Sequence, residues 1–453
     1  MNQELWIKIL EFDFDDPPVE YGFSTRLANE NFWTKRFTEL AILEYKKFMY
    51  LAATSDFMVS PSEIVDTVWH QHLIFTQSYQ DFCNLIGKQV QHIPSTHNKE
   101  DFQKFKQAKE RTVKLYEENF GQQPKTIWDY SDMYESLHLE KAKFKLRTFI
   151  IMGILGFIVL TIPFYFVLRP LYIHLNNPYF IFGFLGLAVA TFIVLELYNR
   201  VKLRDIAKGF HKDSFVYHLQ PFELVYLQSQ KLSHVINGTV NEVVDNGVVK
   251  VNSDNTIELA KSGATRSNEQ LQVTTVLRDL GRTFYPALLR QLMTKPIFWN
   301  TANCMDAFKK YFNKSKKFAS IFYLNFGVLC MLLMLGFIRL TTGMLREKPI
   351  VLIATAVIIL AILISAYLAR LTKMFCTVTV PRMYKNEILP AQQIENDWQW
   401  SYFLFGSSAL TSSFVPIANY VNKNDGGGSS VGSSCGSSCG SSCSSCGGCG
   451  GGD

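Results

Sequence analysis

The stretch "ASIFYLNFGVLCMLLMLGFI", residues 319–338, is twenty residues long and contains no charged side chain. An α-helix of this length crosses about 30 Å, the thickness of the hydrocarbon core of a bilayer. Between Phe318 and Ile338, twelve residues are Leu, Ile, Val or Phe. At about 0.3–0.6 kcal/mol each they contribute roughly 5 kcal/mol to insertion, which outweighs the single Asn325. The stretch therefore predicts a transmembrane helix.

Three other stretches have the same length and apolar character, so the chain is predicted to be mainly α-helical with four transmembrane helices. The predicted spans cover residues 149–168, 179–198, 319–338 and 350–369. An ion or proton pathway usually needs ionisable residues inside the membrane, but Glu196 lies at a span end and no span has a charge near its middle. The spans are therefore interpreted as an anchor or platform.

Lysine and arginine residues flank the spans unequally. Seventeen of them border the outer ends of the two helical hairpins, whereas the two short connections hold only Arg169, Arg339, Arg346 and Lys348. Because positive charge is retained on the cytoplasmic side, the pattern predicts a multi-pass inner-membrane protein with both termini in the cytosol. The N-terminal sequence "MNQELWIKILEFDFDDPP" lacks the pattern of a cleavable signal peptide.

Composition divides the chain into successive parts. The predicted parts are a cytosolic helical domain (1–135), a transmembrane hairpin (149–198), a cytosolic insertion (200–317), a second hairpin (319–369), a cytosolic post-membrane segment (370–423) and a disordered tail (424–453). The lipid bilayer is one predicted partner, and the cytosolic parts predict protein partners. The oligomeric state cannot be predicted from this pattern.

Within the insertion, residues 221–260 predict a small α+β unit that resembles a winged helix. Pro221 suits the first turn of a helix, and Asp245-Asn246-Gly247 is a turn signal before two short strands. The second helix offers Lys231 and His234 as basic groups, which is too little charge for phosphate contacts. Nucleic acid is therefore not an expected partner, and a protein-contact or structural role is favoured.

The tail after Lys423 consists mainly of Gly, Ser and Cys, a composition that cannot bury enough apolar surface to fold. Thiolates at short spacings suit Zn, Cu(I) or iron–sulfur clusters. The candidate thiol ligands are Cys435, Cys439, Cys443, Cys446 and Cys449. Two alternatives stay open, namely chemical modification of these cysteines and a low-complexity interaction tail.

Near the N-terminus, "NENFWTKRFTELAILEYKKFMYLAATS" places apolar residues at helical spacing and predicts an amphipathic helix with a Lys-rich outer face. The stretch "SPSEIVDTVWHQHL", residues 60–73, predicts the next helix. Ser60 is its predicted N-cap, with Pro61 in the first turn and Glu63 as the capping-box partner. Asp66 and His70 are four residues apart and share one face of this helix, whereas His72 points elsewhere.

These side chains permit two interpretations. Asp66 and His70 could bind Zn or another transition metal, with His92 from the next loop and His72 or His97 as a further ligand. Alternatively, Asp66 orients the His70 imidazole by a hydrogen bond and the group only packs the helix against the loop around His92. Spacing alone leaves both open, because H-x-H is much less specific than H-E-x-x-H.

Several motifs between about residues 20 and 130 resemble the glycine-rich domain-containing protein family, whose signature is D-x-x-W-H-x-H followed by H-x-P. The motifs are "FSTRLANENFW", "EYKKFMYLA", "SPSEIVDTVWHQHL", "YQDFC", "HIPS" and "YEENFGQQPKTIWDY". Where that family often has a Gly-Gly pair, this chain has "STHNKED". The resemblance implies a mostly helical cytoplasmic domain without an established reaction. It maps onto Asp66, Trp69, His70, His72, Tyr79, His92 and Pro94.

The remainder of the chain, through its architecture and "QPFELVYL", is similar to bacterial membrane proteins with a Gly- and Cys-rich tail. The leading hypothesis is a non-enzymatic membrane scaffold or sensor that displays cytosolic interaction modules. One alternative is a metal-dependent enzyme centred on Asp66, His70 and His92, with Glu63 or His72 transferring a proton. The other is metal handling, or modification, through the tail cysteines.

Overall fold

The computed structural model describes residues 1–93, 99–260, 267–391 and 397–424. Within them the fold is mainly helical, as predicted, and it contains one small three-stranded sheet. Pro94, His97 and the tail with its five cysteines lie outside the described residues.

The N-terminal helices surround one long central helix. They are α1 (Gln3–Glu11), α2 (Phe23–Asn31), α3 (Lys35–Thr54), α4 (Glu63–Ile74), α5 (Thr76–Ile86), α6 (Lys99–Phe120) and α7 (Lys125–Trp128), and a 3₁₀ turn follows at Met133–Leu137. Helices α1, α2, α4 and α6 all pack against α3. The apolar spacing noted in the sequence is responsible, because Phe37, Ala41, Tyr45 and Phe48 are buried along α3.

The prediction that the lysines of α3 form an exposed outer face is wrong for Lys46, which is buried. Its ammonium group donates hydrogen bonds to the carbonyl oxygens of Leu10 (2.8 Å) and Phe12 (2.7 Å) at the end of α1. The last carbonyls of a helix have no partner within the helix and carry partial negative charge, so a cation stabilises them. Lys46 therefore connects α1 to α3.

Helix α4 begins two residues later than the predicted cap implies. The N-cap is Ser62, whose side chain accepts a hydrogen bond from the Val65 amide at 3.2 Å. Ser60 instead donates its amide to Thr112 Oγ1 on α6 at 2.8 Å. This bond to α6 explains the shift, since it holds Ser60 in the preceding segment.

The first hairpin is formed by α8 (Leu146–His174) and α9 (Asn177–Lys208). The second is formed by α15 (Lys316–Met344) and α16 (Val351–Met374), after the insertion described next. All four helices are long and apolar enough to cross a membrane. Four candidate membrane spans are thus confirmed. Each helix ends several residues beyond its predicted span, and all of them except α16, which begins at Val351, also begin before it.

Helices and a small sheet make up the insertion between the hairpins. The elements are α10 (Pro221–Ser229), α11 (Leu232–Asp245), β1 (Val249–Val251), β2 (Thr256–Leu259), α12 (Asn268–Leu280), β3 (Thr283–Phe284), α13 (Tyr285–Leu292) and α14 (Pro296–Asn313). The helix, helix, hairpin order predicted for residues 221–260 is present. Gly247, at φ +69°, makes the turn before β1, and β3 adds an antiparallel third strand beside β2.

The chain after α16 continues as one helical rod through two π-helical turns, Phe375–Thr379 and Tyr384–Ile388. The α-helical pieces that follow are α17 (Val380–Met383), α18 (Leu389–Ala391), α19 (Trp398–Phe405) and α20 (Val415–Asn424). Helix α19 packs on α10, which places this segment against the insertion.

Both short connections between candidate spans lie at the same end of the four-helix bundle. The guanidinium group of Arg339 on α15 donates hydrogen bonds to the carbonyl oxygens of Tyr172 and Leu175 (2.8 Å) at the end of α8. It also lies 5.1 Å from the centroid of the Phe180 ring on α9. The N-terminal helices, the insertion and the post-membrane segment therefore all leave the bundle at its other end.

Toward that other end, a buried polar cluster joins three of the membrane helices. Asn199 on α9 and Asn325 on α15 exchange side-chain hydrogen bonds of 2.9 and 2.8 Å. Asn199 also donates to Tyr367 Oη on α16 at 2.9 Å. Both asparagines are fully buried. Asn325 is the polar side chain in the stretch 319–338, and its hydrogen bonds to Asn199 explain how it can be buried there.

Replacing Asn325 with leucine is expected to destabilise the bundle by about 1–2 kcal/mol, because the Asn199 amide loses a partner where water cannot replace it. The measurement is unfolding of the full chain by SDS, followed by circular dichroism. Thr355→Val on the exposed face of α16 is the control, since its hydroxyl bonds only its own helix. Equal stability of the Asn325→Leu variant and the unmodified chain would contradict the prediction.

The N-terminal helices also contact the insertion directly. Lys35 Nζ lies 2.8 Å from Glu269 Oε1, and Lys295 Nζ lies 2.6 Å from Glu20 Oε2. Buried apolar side chains form a continuous cluster across this boundary. The face of α4 that carries Asp66 and His70 is therefore part of a firmly packed body rather than a detached module.

Candidate metal centre

Helix α4 places two of the candidate ligands one turn apart on its outer side. Asp66 is half-buried and His70 is exposed, whereas Ile64, Val65 and Val68 are buried on the inner side. This division follows from the 3.6-residue period of the helix. The carboxylate and the imidazole are thus presented together at the protein surface.

The third candidate ligand, His92, comes from the loop after α5. Gly87 ends α5 in the left-handed conformation at φ +71° and lets the chain turn back toward α4. Tyr79 Oη donates a hydrogen bond to the carbonyl oxygen of Val90 and accepts one from Trp69 Nε1 at 3.2 Å. The Trp69 ring packs edge-on against His92, with centroids 4.7 Å apart. Trp69 and Tyr79 therefore hold the loop so that His92 faces α4.

The three side chains bring their ligand atoms together at one point. His92 Nε2 lies 2.9 Å from Asp66 Oδ1 and 3.0 Å from His70 Nε2, and His70 Nε2 lies 3.8 Å from Asp66 Oδ2. Ligand atoms about 2.0–2.1 Å from a tetrahedral ion lie roughly 3.3 Å from one another. The observed separations bracket that value, so an ion such as Zn²⁺ fits between them with small side-chain adjustments.

Hydrogen bonds alone cannot satisfy all three of these ligand atoms well. An imidazole Nε2 carries at most one proton, so His92 Nε2 can serve both Asp66 and His70 only by sharing a single N–H. A cation bound centrally instead uses a lone pair on each of the three atoms. Two histidines and one carboxylate form a donor set suited to Zn²⁺ and, with open positions, to Fe²⁺.

A cavity of about 320 Å³ adjoins two of the three ligands, Asp66 and His92, and Trp69 also lines it. Its other walls come from the α3 side chains Phe48 and Ala52, from residues 56–61 and from Phe105 on α6. The sequence gives no signal for this cavity, because its walls come from separate parts of the chain. A metal held by three protein ligands would keep a coordination position free for water or another small molecule.

His72 does not join this group, although it was a predicted further ligand. It is fully buried, with Nδ1 2.9 Å from Tyr45 Oη and Nε2 3.2 Å from Ser78 Oγ. Burial lowers the pKa of His72 to about 4. Both ring nitrogens are engaged in the aromatic core, so His72 has neither a free nitrogen for a metal nor access to the cavity as a proton donor.

Within the described part of the chain, Asp66, His70 and His92 are the residues whose ligand atoms meet closely enough to hold a metal ion. Glu63, the other predicted proton-transfer residue, is exposed one turn before Asp66. Pro94 and His97 fall outside the described residues, as do Cys435, Cys439, Cys443, Cys446 and Cys449.

Comparison with known proteins identifies a family segment around this cluster. Residues 26–122 match the family model described as UCP032817-like. No curated protein and no solved structure gives a significant match. The resemblance to glycine-rich domain-containing proteins, and that of the remainder to bacterial membrane proteins, stay expectations from the sequence. All three cluster residues lie inside the matched segment, so the candidate metal centre belongs to the part of the chain that is similar to this family.

Proposed function

We propose that this protein is a membrane-anchored metal sensor whose Asp66, His70 and His92 side chains bind one divalent transition-metal ion, either Zn²⁺ or another transition metal. The observation that carries the proposal is the convergence of two imidazole nitrogens and one carboxylate oxygen, with separations of 2.9–3.8 Å. A single hydrogen bond from an imidazole to Asp66 would not account for the second imidazole nitrogen at the same point.

Metal binding would join two elements that are otherwise connected by few polar contacts. Asp66 and His70 belong to α4, whereas His92 belongs to the loop that Tyr79 holds through Val90. Coordination fixes this loop at the rim of the adjoining cavity, and loss of the ion releases it. A partner protein that contacts the loop can thereby distinguish the two states, which is the physical basis of a sensor.

The membrane placement that we propose puts this sensor in the cytosol. The excess of lysine and arginine beside the outer ends of the hairpins supports cytosolic termini and a cytosolic insertion. The domain boundaries proposed from the sequence then leave residues 1–135, 200–317 and 370–423 on the same side of the membrane. These parts are the proposed surfaces for protein partners, and the bundle is the anchor.

A metal-dependent enzyme is a second candidate, favoured by the cavity beside the three ligands. In this alternative, Asp66, His70 and His92 would hold the metal, the metal would supply activation of water for hydrolysis, and Glu63 would be the proton-transfer residue. The two candidates differ in Glu63. If the protein is a sensor, the Glu63→Gln variant should bind metal with unchanged affinity and show the same metal-dependent change in the loop around His92. If it is an enzyme, the same variant should lose catalytic turnover.

The test is metal binding by the full-length protein in detergent, with the five tail cysteines replaced by serine so that they cannot bind the ion. Titration with Co²⁺ is expected to give one equivalent and the visible ligand-field absorption of a four-coordinate site. Outer-shell changes already cost 10–100-fold in metal affinity, so removal of a direct ligand in His70→Ala is expected to cost at least about 100-fold.

His211→Ala is the matched control. His211 is also exposed and lies 3.2 Å from a carboxylate, that of Asp213, but no second histidine among the described residues joins the pair. Its replacement is expected to leave Co²⁺ binding unchanged. Binding that is as tight in His70→Ala as in His211→Ala would refute the proposed site. Loss of hydrogen-exchange protection at residues 88–93 on metal removal would support sensing over simple structural binding.

A further inference from the structure

A second cavity, of about 290 Å³, lies between α9 and the rod formed by α16, the first π-helical turn and α17. Arg200, Arg204 and Lys208 line it from successive turns of α9, and Arg382 lines it from α17. Glu387 supplies the one carboxylate of the lining. This cavity is remote in sequence from the metal centre and lies at the end of the bundle from which the soluble parts emerge.

Ion pairing leaves part of this positive charge uncompensated. Arg200 pairs with Glu196 at 2.8 Å, and Lys208 lies 3.3 Å from Glu387. Arg204 and Arg382 make no ion pair with any residue that the structure describes, and both are exposed. Two guanidinium groups therefore face a shared cavity without an anion to balance them.

The depth of these arginines matches the headgroup layer of a membrane. The predicted second span ends at Tyr198, and each helical residue adds about 1.5 Å, so Arg200 and Arg204 lie roughly 3 and 9 Å beyond the hydrocarbon core. The headgroup layer on each side of a bilayer is about 5–8 Å thick. Arg200 therefore lies within the headgroup layer, and Arg204 lies at its outer edge, from which its long side chain can extend back toward the lipid phosphates.

A groove continues from the cavity toward the membrane interior. It has a volume of about 450 Å³ and shares Arg200 with the cavity. Its walls are Phe192, Ile193 and Leu197 on α9 with Tyr367 on α16, while Arg370 and Glu196 close its polar end. An acyl chain fits this apolar groove, whereas a free phosphate ion has no apolar part that could occupy it. The combination of the two spaces therefore favours a lipid over a soluble anion.

The π-helical turns shape the protein side of the cavity. Phe375–Thr379 is such a turn, and Val378 and Thr379 within it contribute to the lining beside Met374 and Met383. A π-helical turn contains an extra residue and shifts the face that follows it, and such turns are frequent at functional sites. Here the shift brings Arg382 to the same cavity as Arg204 while apolar side chains line the floor.

We propose that this cavity binds the phosphate of one anionic phospholipid, with Arg204 and Arg382 as the main ligands and one acyl chain in the groove below. Planar guanidinium groups are suited to bidentate phosphate recognition, and basic pockets between membrane helices bind anionic headgroups. The lipid joins α9 to the rod after α16 and so stabilises the attachment of the post-membrane segment. The site does not depend on metal binding by the N-terminal helices.

The test uses native mass spectrometry of the full-length protein in neutral detergent, with dioleoyl phosphatidylglycerol and dioleoyl phosphatidylcholine as probes. We expect one phosphatidylglycerol to bind, and phosphatidylcholine to bind at least tenfold more weakly. Each cation near a membrane surface contributes to anionic-lipid binding, so the double variant R204A/R382A is expected to bind phosphatidylglycerol about 10- to 30-fold more weakly. R204Q/R382Q, which keeps a polar side chain but removes the charge, must show the same loss.

The matched control is K202A/K373A. Both lysines are exposed, Lys202 on α9 and Lys373 on α16 of the same rod, and neither lines the cavity. The variant removes the same number of charges as R204A/R382A. We expect its affinity to stay within about twofold of the unmodified protein. Equal losses in the control and R204A/R382A would show non-specific surface attraction and overturn the site. Displacement of the lipid by an equal concentration of glycerol phosphate would overturn the lipid assignment in favour of a soluble phosphate.

Discussion

Replacing Glu44 with alanine is expected to lower the free energy of unfolding of the N-terminal helices by about 3–5 kcal/mol, because removing one partner from a buried ion pair leaves the other charge uncompensated. Glu44 is only 1% exposed in the middle of α3. Its carboxylate receives hydrogen bonds from Lys47 Nζ at 2.7 Å, Tyr116 Oη at 2.7 Å and Trp128 Nε1 at 2.8 Å. Three donors from three helices, α3, α6 and α7, therefore lose their common acceptor.

The measurement for Glu44→Ala is a urea titration of the full chain in detergent, read out by hydrogen exchange of peptides from α3 and α6. Glu39→Ala is the control on the same helix. Its carboxylate is half exposed and pairs with Arg36 at 3.6 Å, so a change of less than about 0.5 kcal/mol is expected. A loss below 1 kcal/mol in Glu44→Ala would show that the network does not stabilise the helices.

The sequence identifies elements whose residues repeat with one clear period. Stretches of about twenty predominantly apolar residues indicate the candidate spans, and the three- and four-residue spacing of Phe37, Ala41, Tyr45 and Phe48 indicates α3. The same period places Asp66 and His70 on one face of α4. Local patterns of this kind need no tertiary information, which is why they are predictable.

Polar groups that become buried are not predictable in this way. Glu44 and Lys46 look like surface residues of an amphipathic helix, and only their contacts with α6, α7 and α1 explain their burial. His92 lies more than twenty residues after Asp66, and its position depends on the turn at Gly87 and on the Tyr79 contact with Val90. The sequence pattern names His92 as a candidate, but only the fold brings it to the other two ligands.

The environment of Arg339 illustrates the same limit in the bundle. Its charge predicts a residue in a short connection outside the third span, but α15 continues to Met344 and includes it. The free carbonyl groups at the end of α8 accept its hydrogen bonds and thereby stabilise the charge inside the bundle. Counting charges along the sequence shows only how far Arg339 lies from the apolar stretch. It does not show that α8 supplies carbonyl oxygens that accept hydrogen bonds from Arg339.

The second large effect is expected from pH and depends on His72. Burial lowers the pKa of His72 to about 4, whereas an imidazole in the unfolded chain has a pKa near 6.5. Because the unfolded state binds the proton more tightly, the contribution of His72 to stability is fully present above pH 6.5 and is lost as the pH falls toward 4. The loss amounts to about 3 kcal/mol by pH 4.

Other groups titrate over the same interval, so the prediction concerns the difference between two proteins. Glu223, for example, acts in the opposite sense, because burial raises its pKa to about 7 and its protonation stabilises the fold as the pH falls from 7 to 4.5. Glu223 is present in both the unmodified chain and His72→Gln, so its effect cancels. Between pH 7 and pH 4 the unmodified chain should lose about 3 kcal/mol more than His72→Gln.

The measurement for His72 is urea unfolding of the full chain at several pH values, with hydrogen exchange of α3 and α4 peptides as the readout. Tyr45→Phe is the control, since it removes the partner of Nδ1 but keeps the imidazole buried among Phe14, Phe23 and Phe82. This variant should keep the pH dependence of the unmodified chain. Identical pH dependence in His72→Gln would mean that the imidazole has the same pKa in the folded and the unfolded chain and therefore takes up its proton inside the core. The neutral, doubly hydrogen-bonded state assigned to His72 would then be wrong.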